Sequence, residues 1–378
     1  MKIVYCTDKI DVIGGVERIT VEKANALSHI KGNKVYIVVA YNRNPPHFPV
    51  EKGVEVINLD VRFHDCYSRN PLVWVPFYLK KKKEHRKKLK DTLLSISPDV
   101  IISTGQVLNS FLPTIKIPTK PLFIREFHSY AHYRLLEAEG LGKLRALRKD
   151  FIDCKLSTRH YDKIVILTHE DKENNWSHNP NAVVIPNMVT IDTAQVSSLE
   201  NKTAIAAGRL VKQKNFQSLI SAWQYVKLSH PDWKLKIYGD GVQKGELQQQ
   251  IIERDLTENV ELCGFTTDIA HQLTASSILI SSSIYEGLPL NIIEAMACGL
   301  PVISYDYCCG PKDLIRNGEN GYIVPLNDEK ALSDRICELI ENEDLRKRMG
   351  KASLEKSKDY SRDSIIQQWM VLFEQGKV

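Results

Sequence analysis

The sequence runs to 378 residues, 43% of them hydrophobic, with a formal net charge of +5. That length exceeds what one hydrophobic core usually organises, so two domains of roughly 150 to 200 residues are expected. The charge is too mild to imply nucleic acid by itself, and the eight cysteines are scattered without a C-x-x-C pair, which argues against zinc or dithiol chemistry and for a reducing compartment.

The chain opens on Lys2 to Thr7, a buried-strand pattern without the long apolar core and cleavage site of a signal peptide, so no export is expected. Short β-branched runs then alternate with longer amphipathic stretches, the signature of β-α-β units around a parallel sheet. In the first half strands are predicted at 2–7, 34–40, 54–58, 99–104, 120–126, 162–168 and 182–186. After the polar stretch Thr190 to Asn201 a second series follows at 203–207, 233–239, 258–262, 277–281, 301–305 and 321–324. The pattern starts over, which predicts two α/β halves joined near residue 190. A last helical stretch, Tyr360 to Glu374, follows a series that is already complete.

Several segments carry more than packing signals. Between the first strand and its helix, Gly14 and Gly15 precede Arg18, and paired glycines let backbone approach a phosphate or sugar closely. The apolar run Pro71 to Leu79 is about half the length a membrane span needs and holds two prolines, so no transmembrane segment is expected. Eight Lys/Arg face one glutamate between residues 80 and 90. A solvated helix face is the ordinary account of such a run. With Trp74, Phe77 and Tyr78 before it and Leu93 and Leu94 after it, the segment 76–94 instead has the pattern of an interfacial helix on anionic lipid. No aromatic RNA platform accompanies it, so a membrane surface and not nucleic acid is the expected partner. The strand at 120–126 ends in Arg125, Glu126 and His128, at the edge where α/β sheets bind ligands. An ordinary hydrogen-bonded histidine is the alternative for His128. His132 follows four residues on, but no third ligand spacing supports a metal.

In the second series Gly208-Arg209 and Lys214 leave a strand with two cations five positions apart, a spacing suited to a diphosphate clamp, though a basic loop over a helix start is common. Tyr238-Gly239-Asp240-Gly241 lacks the third glycine of a dinucleotide fingerprint in place, since Gly245 comes one position late, and reads as a tight turn lining a nucleotide pocket. Cys263-Gly264-Phe265 likewise ends a strand. From Ser283 to Gly299 an apolar strand ends in serines and a Gly287-Leu288-Pro289 turn starts a helix, with Pro289 expected at its first position. The helix points free N–H groups and its dipole out of the carboxyl end of the sheet, a ready phosphate site. Glu286 precedes the turn and Glu294 lies in the helix with seven residues between them. Cys308-Cys309 has no account at this level.

The stretch Ser283 to Gly299 resembles the Glu-x7-Glu motif of the retaining family 4 glycosyltransferases, which have the GT-B fold. The resemblance implies two Rossmann-like α/β domains with parallel sheets facing across a cleft. Residues 1–188 plus 361–378 would form the acceptor-binding domain, with the terminal helix returning to it, and 189–360 the nucleotide-sugar-binding domain. It implies that Glu286 approaches the donor sugar, that Glu294 holds the ribose, and that the backbone of Gly287, Leu288, Pro289 and Leu290 meets sugar and phosphate. Arg209 and Lys214 match the family's pyrophosphate pair. Gly14 and Gly15 match its loop on the face opposite the donor site, His128 its histidine toward the reacting sugar, and Phe265 a position near the base. Gly239 is counted with the donor residues, and Arg18, Arg125 and Glu126 fall on the acceptor side. Glu286, Arg209, Lys214 and His128 form the implied catalytic group.

The implied reaction is retaining and metal-independent, needs no cofactor beyond its nucleotide-sugar substrate, and uses a UDP-sugar ahead of GDP-mannose. The acceptor is a saccharide or lipid-linked glycan of a surface polysaccharide or glycolipid, handled in the cytoplasm at the inner face of the cell membrane. No Asp-x-Asp tripeptide occurs, which disfavours a metal-dependent transferase of the other major fold. A glycosidase would need its two carboxylates within about 10 Å and has no use for Arg209 and Lys214. A sugar-nucleotide epimerase of similar two-domain fold is the enzymatic alternative. A non-catalytic basic membrane- or nucleic-acid-binding protein is the alternative of another class.

Overall fold

The computed structural model describes residues 1–65, 70–105, 111–191 and 195–376, so Cys66 lies outside the described residues. The chain divides into two compact units, one made of Met1–Leu167, Asn175–Ile185 and Ile366–Val378, the other of Thr168–Asn174 and Pro186–Ile365.

The first unit holds a seven-stranded sheet of β1 (Lys2–Thr7), β2 (Lys34–Val39), β3 (Val54–Asn58), β4 (Val100–Ser103), β5 (Leu122–Glu126), β6 (Lys163–Ile166) and β7 (Ala182–Val184), in the order β3-β2-β1-β4-β5-β6-β7. The second holds six strands, β8 (Thr203–Ala207), β9 (Lys234–Tyr238), β10 (Val260–Gly264), β11 (Ile278–Ser281), β12 (Val302–Tyr305) and β13 (Gly321–Val324), in the order β10-β9-β8-β11-β12-β13. Every pairing is parallel, for example Ile3 with Val35 and Val100, and Ala204 with Leu235 and Ile278. Helices cover both faces of such sheets, so the central strands read as continuous apolar runs; all four residues of β4, β11 and β12 are buried.

Each predicted strand is present, with ends shifted by at most two residues. The largest shift is in β10, where Gly264 in a left-handed conformation (φ 74) still pairs with Tyr238 past an irregularity in the register.

In both sheets the chain runs outward from its first strand and then returns to that strand's other side. The order therefore reverses between β1 and β4 and between β8 and β11. Open parallel sheets bind ligands outside the carboxyl ends of the strands at such a reversal.

The helices that matter below are α1 (Gly15–Ser28), α2 (Pro71–Ile96), α3 (Gly142–Phe151), α4 (Phe216–Ser229), α5 (Leu290–Ala297), α6 (Glu329–Glu341) and α7 (Arg362–Gln375). Asn70 caps α2 by accepting from the Leu72 N–H at 3.0 Å, and Pro76 lies inside that helix. Its inward stripe, Leu89, Leu93 and Ile96, joins Val4, Ile101 and Leu112 in the core of the first unit. In the second unit Leu219, Trp223 and Val226 of α4 and Leu332 and Ile336 of α6 share one core with the strands. Among the described residues no helix is long and apolar enough to cross a membrane.

The unit boundaries follow contacts that local pattern does not carry. The main crossing falls between Ile185 and Pro186, and the last lies inside α7, between Ile365 and Ile366, rather than at 188/189 and 360/361. Thr168–Asn174 also belongs to the second unit: Asp313 accepts the backbone N–H of His169 at 2.7 Å and of Glu170 at 3.3 Å.

Candidate active site

Because β8 and β11 are neighbours, the loops leaving their carboxyl ends meet. Lys214, in a single 3₁₀ turn after β8, donates from Nζ to Glu286 Oε1 at 2.5 Å. The same carboxylate oxygen accepts from Ser283 Oγ at 2.7 Å, and Gln213 Nε2 donates to the Tyr285 carbonyl at 2.9 Å and to Glu286 Oε2 at 3.4 Å. Backbone lacing fixes the pair of loops: Ile284 N–H to Gln213 O at 2.8 Å, and Ser282 Oγ to Lys214 O at 2.7 Å. Gly208 makes room for the lysine, since a Cβ there would lie 2.9 Å from Lys214 Cε. The side chains of Lys214 and Glu286 are 16% and 12% exposed, which strengthens their attraction over that of a surface pair. Arg209 is exposed on the same loop.

Pro289 is the cap of α5 rather than its first residue; it is extended (φ −73, ψ 108), and its carbonyl accepts from Ile292 and Ile293 N–H. The N–H groups of the first turn have no partner inside a helix and favour an anion there. Asn291 Nδ2 donates to Ala207 O at 3.0 Å, which anchors this helix start to the end of β8. Gly287 and Leu290 are partly exposed, and Leu288 and Pro289 are buried. Glu294 is buried and accepts from Thr190 Oγ1 at 2.7 Å.

Two further loops hold this turn in place. Cys308 bridges to Tyr285, and Cys309, in the left-handed region (φ 64), donates its N–H to Glu170 Oε2 at 3.0 Å. The Cys-Cys loop thus buttresses the Glu286 turn, an account the sequence did not offer. On the other flank, Gly208 N–H bonds Tyr238 O at 2.9 Å and Gly239 N–H bonds Gly264 O at 2.8 Å. A Cβ on Gly239 (φ 147) would lie 1.8 Å from Gly208 O, so only glycine lets the ends of β8 and β9 approach. Phe265, next in the chain after β10, is 54% exposed.

In the first unit Gly14 caps α1, Arg18 N–H donates to Gly14 O at 3.0 Å, and the Arg18 side chain is half-buried. At the end of β5 the Arg125 guanidinium is buried and donates to the carbonyls of Ser103 at 2.9 Å and Gly105 at 3.1 Å. Glu126, 1% exposed, is paired with Lys23 of α1. Both residues, expected on the acceptor side, are therefore engaged inside the unit. Burial acts to raise the Glu126 pKa, but Lys23 and His128 outweigh it and hold the carboxyl below its usual range. His128 Nε2 lies 3.5 Å from Glu126 Oε1, and neither ring nitrogen has a hydrogen-bond partner among the described residues. Burial pushes the His128 pKa down to about 4 despite the nearby carboxylate, so the ring is neutral at pH 7. It lines a pocket of about 120 Å³ together with Thr104, Arg125, Tyr130 and Arg134. His132 faces Asp150 at 3.3 Å. Among the described residues no group of three or more His, Cys, Asp or Glu is arranged to hold a metal ion.

The family model for glycosyl transferases group 1 matches residues 190–356, which contain the whole β8/β11 site. An uncharacterized glycosyltransferase of Methanocaldococcus jannaschii is 30% identical over 365 residues, 81% of this chain and 86% of the relative. The chain belongs to the glycosyltransferases. An uncharacterized glycosyltransferase of Haemophilus influenzae is 29% identical over 97% of this chain and 98% of its own length. An amylovoran biosynthesis glycosyltransferase of Erwinia amylovora is 28% identical over 97% and 98%. Among solved structures, sucrose-phosphate synthase of Thermosynechococcus elongatus aligns with a TM-score of 0.82 at 16% identity, covering 99% of this chain and 98% of that one. A pneumococcal O-GlcNAc transferase in complex with UDP and GlcNAc aligns with a TM-score of 0.76 at 17% identity, covering 100% and 99%. These identities speak for the fold, which in this glycosyltransferase is GT-B.

Within the glycosyltransferase the structure brings Lys214 and Glu286 into direct contact, a pairing across 72 positions that spacing does not reveal. Gln213, Ser283, Thr190 and Lys23 were not singled out from the sequence. Gln213 and Ser283 flank named residues, so proximity alone was a signal. Thr190 and Lys23 reach Glu294 and Glu126 from 104 and 103 positions away and left none.

Proposed function

We propose that this glycosyltransferase moves a sugar with retention and without a divalent metal or cofactor. The donor is a UDP-sugar, with GDP-mannose second, and the acceptor a saccharide or lipid-linked glycan of a surface polysaccharide or glycolipid. The observation that carries the reading is the Lys214–Glu286 pair, fixed by Ser283 and Gln213 at the strand-order reversal and directly preceding the start of α5. A diphosphate bound there competes with Glu286 for Lys214 and faces the first-turn N–H groups of α5. The acceptor oxygen bonds to the anomeric carbon on the face the diphosphate leaves. The carbon–oxygen bond to phosphate breaks with its electron pair, and the hydroxyl proton passes to a phosphate oxygen. Arg209 and Lys214 stabilise the charge that builds there. Glu286 and the Gly287–Leu290 backbone serve the sugar, Glu294 the ribose, and Gly239 and Phe265 the base. In the first unit Gly14, Gly15, Arg18 and His128 are assigned to substrate.

The amylovoran relative and the UDP held by the pneumococcal enzyme support the acceptor and donor classes. The segment 76–94 is assigned to the inner face of the cell membrane. A ligand-stability screen with UDP-glucose, UDP-N-acetylglucosamine and GDP-mannose should show stabilisation by a UDP-sugar. The product made from it should keep the donor's anomeric configuration by NMR, with nucleoside diphosphate released only when acceptor is present. An inverted product overturns retention. Conversion of the donor to its epimer without diphosphate release makes the epimerase reading right instead.

A further inference from the structure

Helix α3 is built the wrong way round for a helix of a water-facing domain. Its sequence puts Leu141, Leu144, Leu147 and Phe151 three to four residues apart, so they form one stripe. Such a stripe normally faces the core. Here Leu141 is 82% exposed, Leu144 65%, Leu147 50% and Phe151 53%, and Ile152 and Leu156 continue the exposed apolar surface beyond the helix. The face turned inward carries Ala146 and Asp150, both buried. Asp150 is held there by Arg134 Nη1 at 2.8 Å, and Arg134 Nη2 reaches Asp153 at 2.6 Å. An ion-pair network anchored on the buried Asp150 therefore fixes which face looks out, and that face is the greasy one.

The rim decides what covers it. Lys143, Arg145, Arg148 and Lys149 are all exposed beside the stripe, and Lys155 follows, while the two acidic residues of the segment are tied to Arg134. Apolar side chains flanked by cations without an ion-pair partner among the described residues match a bilayer surface with anionic headgroups, where the leucines and phenylalanine enter the acyl boundary and the cations meet phosphate. A second copy of this chain would bring the same cations face to face, so self-association is disfavoured.

We propose that the stripe Leu141 to Leu156 is a membrane-docking surface for anionic lipid, independent of the apolar turn at the start of α2. The proposal rests on the reading of this glycosyltransferase as membrane-associated. Full-length protein is sedimented with phosphatidylcholine vesicles, with and without phosphatidylglycerol. The wild type should bind the phosphatidylglycerol vesicles and lose binding as salt rises. The variant Leu144→Ser/Leu147→Ser/Phe151→Ser changes exposed side chains only and should partition at least about tenfold more weakly. Arg145→Glu/Arg148→Glu/Lys149→Glu should also bind more weakly and lose most of its salt dependence. A parallel variant, Leu72→Ser/Leu79→Ser, separates the two surfaces: if it alone abolishes binding, α2 is the anchor and this proposal fails. No binding of wild type to phosphatidylglycerol vesicles overturns it as well. So does a wild-type dimer on light scattering that the serine variant dissolves, since the stripe is then a protein interface. Stabilisation of each variant by UDP is measured alongside, so that a failure of the transferase reading is not mistaken for a failure of docking.

Discussion

The roles proposed for Lys214 and Glu294 differ in where charge changes during transfer. Ribose hydroxyls are the same before and after the sugar leaves, so under the proposed ribose role Glu294 would contribute uniform binding, and Glu294→Ala should chiefly raise donor KM. The diphosphate gains charge as its bond to the sugar breaks, so Lys214→Ala should lower kcat by roughly a hundredfold, as loss of a preorganised oxyanion donor does. Steady-state kinetics with and without EDTA test both: an unaltered kcat in Lys214→Ala, or a strict metal demand in wild type, removes the assignment. The Lys23–Glu126 pair makes a different prediction, because it is buried on both sides at 1% exposure. Lys23→Met leaves a carboxylate unpaired in the interior and should cost about 3–5 kcal/mol, while Lys23→Met/Glu126→Gln should recover most of it. Urea unfolding of the two variants decides this, and equal losses would mean that the pair does not account for the cost. Two histidines supply a pH signature: burial holds both His85 and His128 down to about 4, against 6.5 when unperturbed. The unfolded chain takes up these protons as pH falls below about 6.5 and the native chain only near 4, so stability is full above the first value and is lost toward the second. The shift of each ring corresponds to roughly 2–4 kcal/mol. His85 sits edge-on to Phe63 and Phe111, so His85→Phe fits the site and should flatten the loss between pH 7 and 5. An unchanged pH slope in that variant would point to other groups.

At the scale of the element, α2 shows why a charge run and a binding surface are not the same thing. Lys81 and Lys88 both lie 3.1 Å from Glu84, and Lys88 also donates to Leu59 O at 3.0 Å. The cations left outward are Lys80, Lys83, Arg86, Lys87 and Lys90, following exposed Leu72, Val73, Trp74 and Leu79 along the helix. With each cation worth about 1 kcal/mol near anionic lipid, Lys80→Glu/Lys83→Glu/Lys87→Glu should weaken vesicle binding by about a hundredfold or more. Lys81→Ala should do little, since its charge is already matched by Glu84. Vesicle sedimentation of the two variants measures the difference, and similar losses in both would refute this division of the lysines.

The whole molecule is two units, each with its own core and sheet, and the chain enters the first one again at its end. Trp369 of α7 is fully buried, stands 4.9 Å from the Lys23 ammonium and packs on Phe373. The residues assigned to the donor lie largely in the second unit. Calorimetry should therefore resolve two transitions, with UDP raising one of them by about 2.7 kcal/mol of stability at a hundredfold excess over Kd. Trp369→Ala should lower the other, by roughly 3–5 kcal/mol. A variant whose UDP-sensitive transition is the one that falls would contradict the assignment of Trp369 to the first unit's stability.

The sequence by itself determined the strands, the two repeated α/β series and the turn at Glu286, because each rests on local physics. Continuous β-branched runs suit strands buried on both faces, and a Gly-Leu-Pro turn before an apolar stretch starts a helix whatever surrounds it. It also placed Arg209, Lys214 and Glu286 in loops after strands, where an α/β sheet presents ligand groups, and Glu294 in the helix that follows. Only the tertiary structure decided what those groups touch. Thr190 meets Glu294, Lys23 meets Glu126 and Cys308 meets Tyr285 across long stretches of chain. The outward face of α3 is set by an ion pair with Arg134, against the direction its own hydrophobic pattern would choose. Burial and pairing energies depend on neighbours brought in by the fold, so no window of sequence contains them.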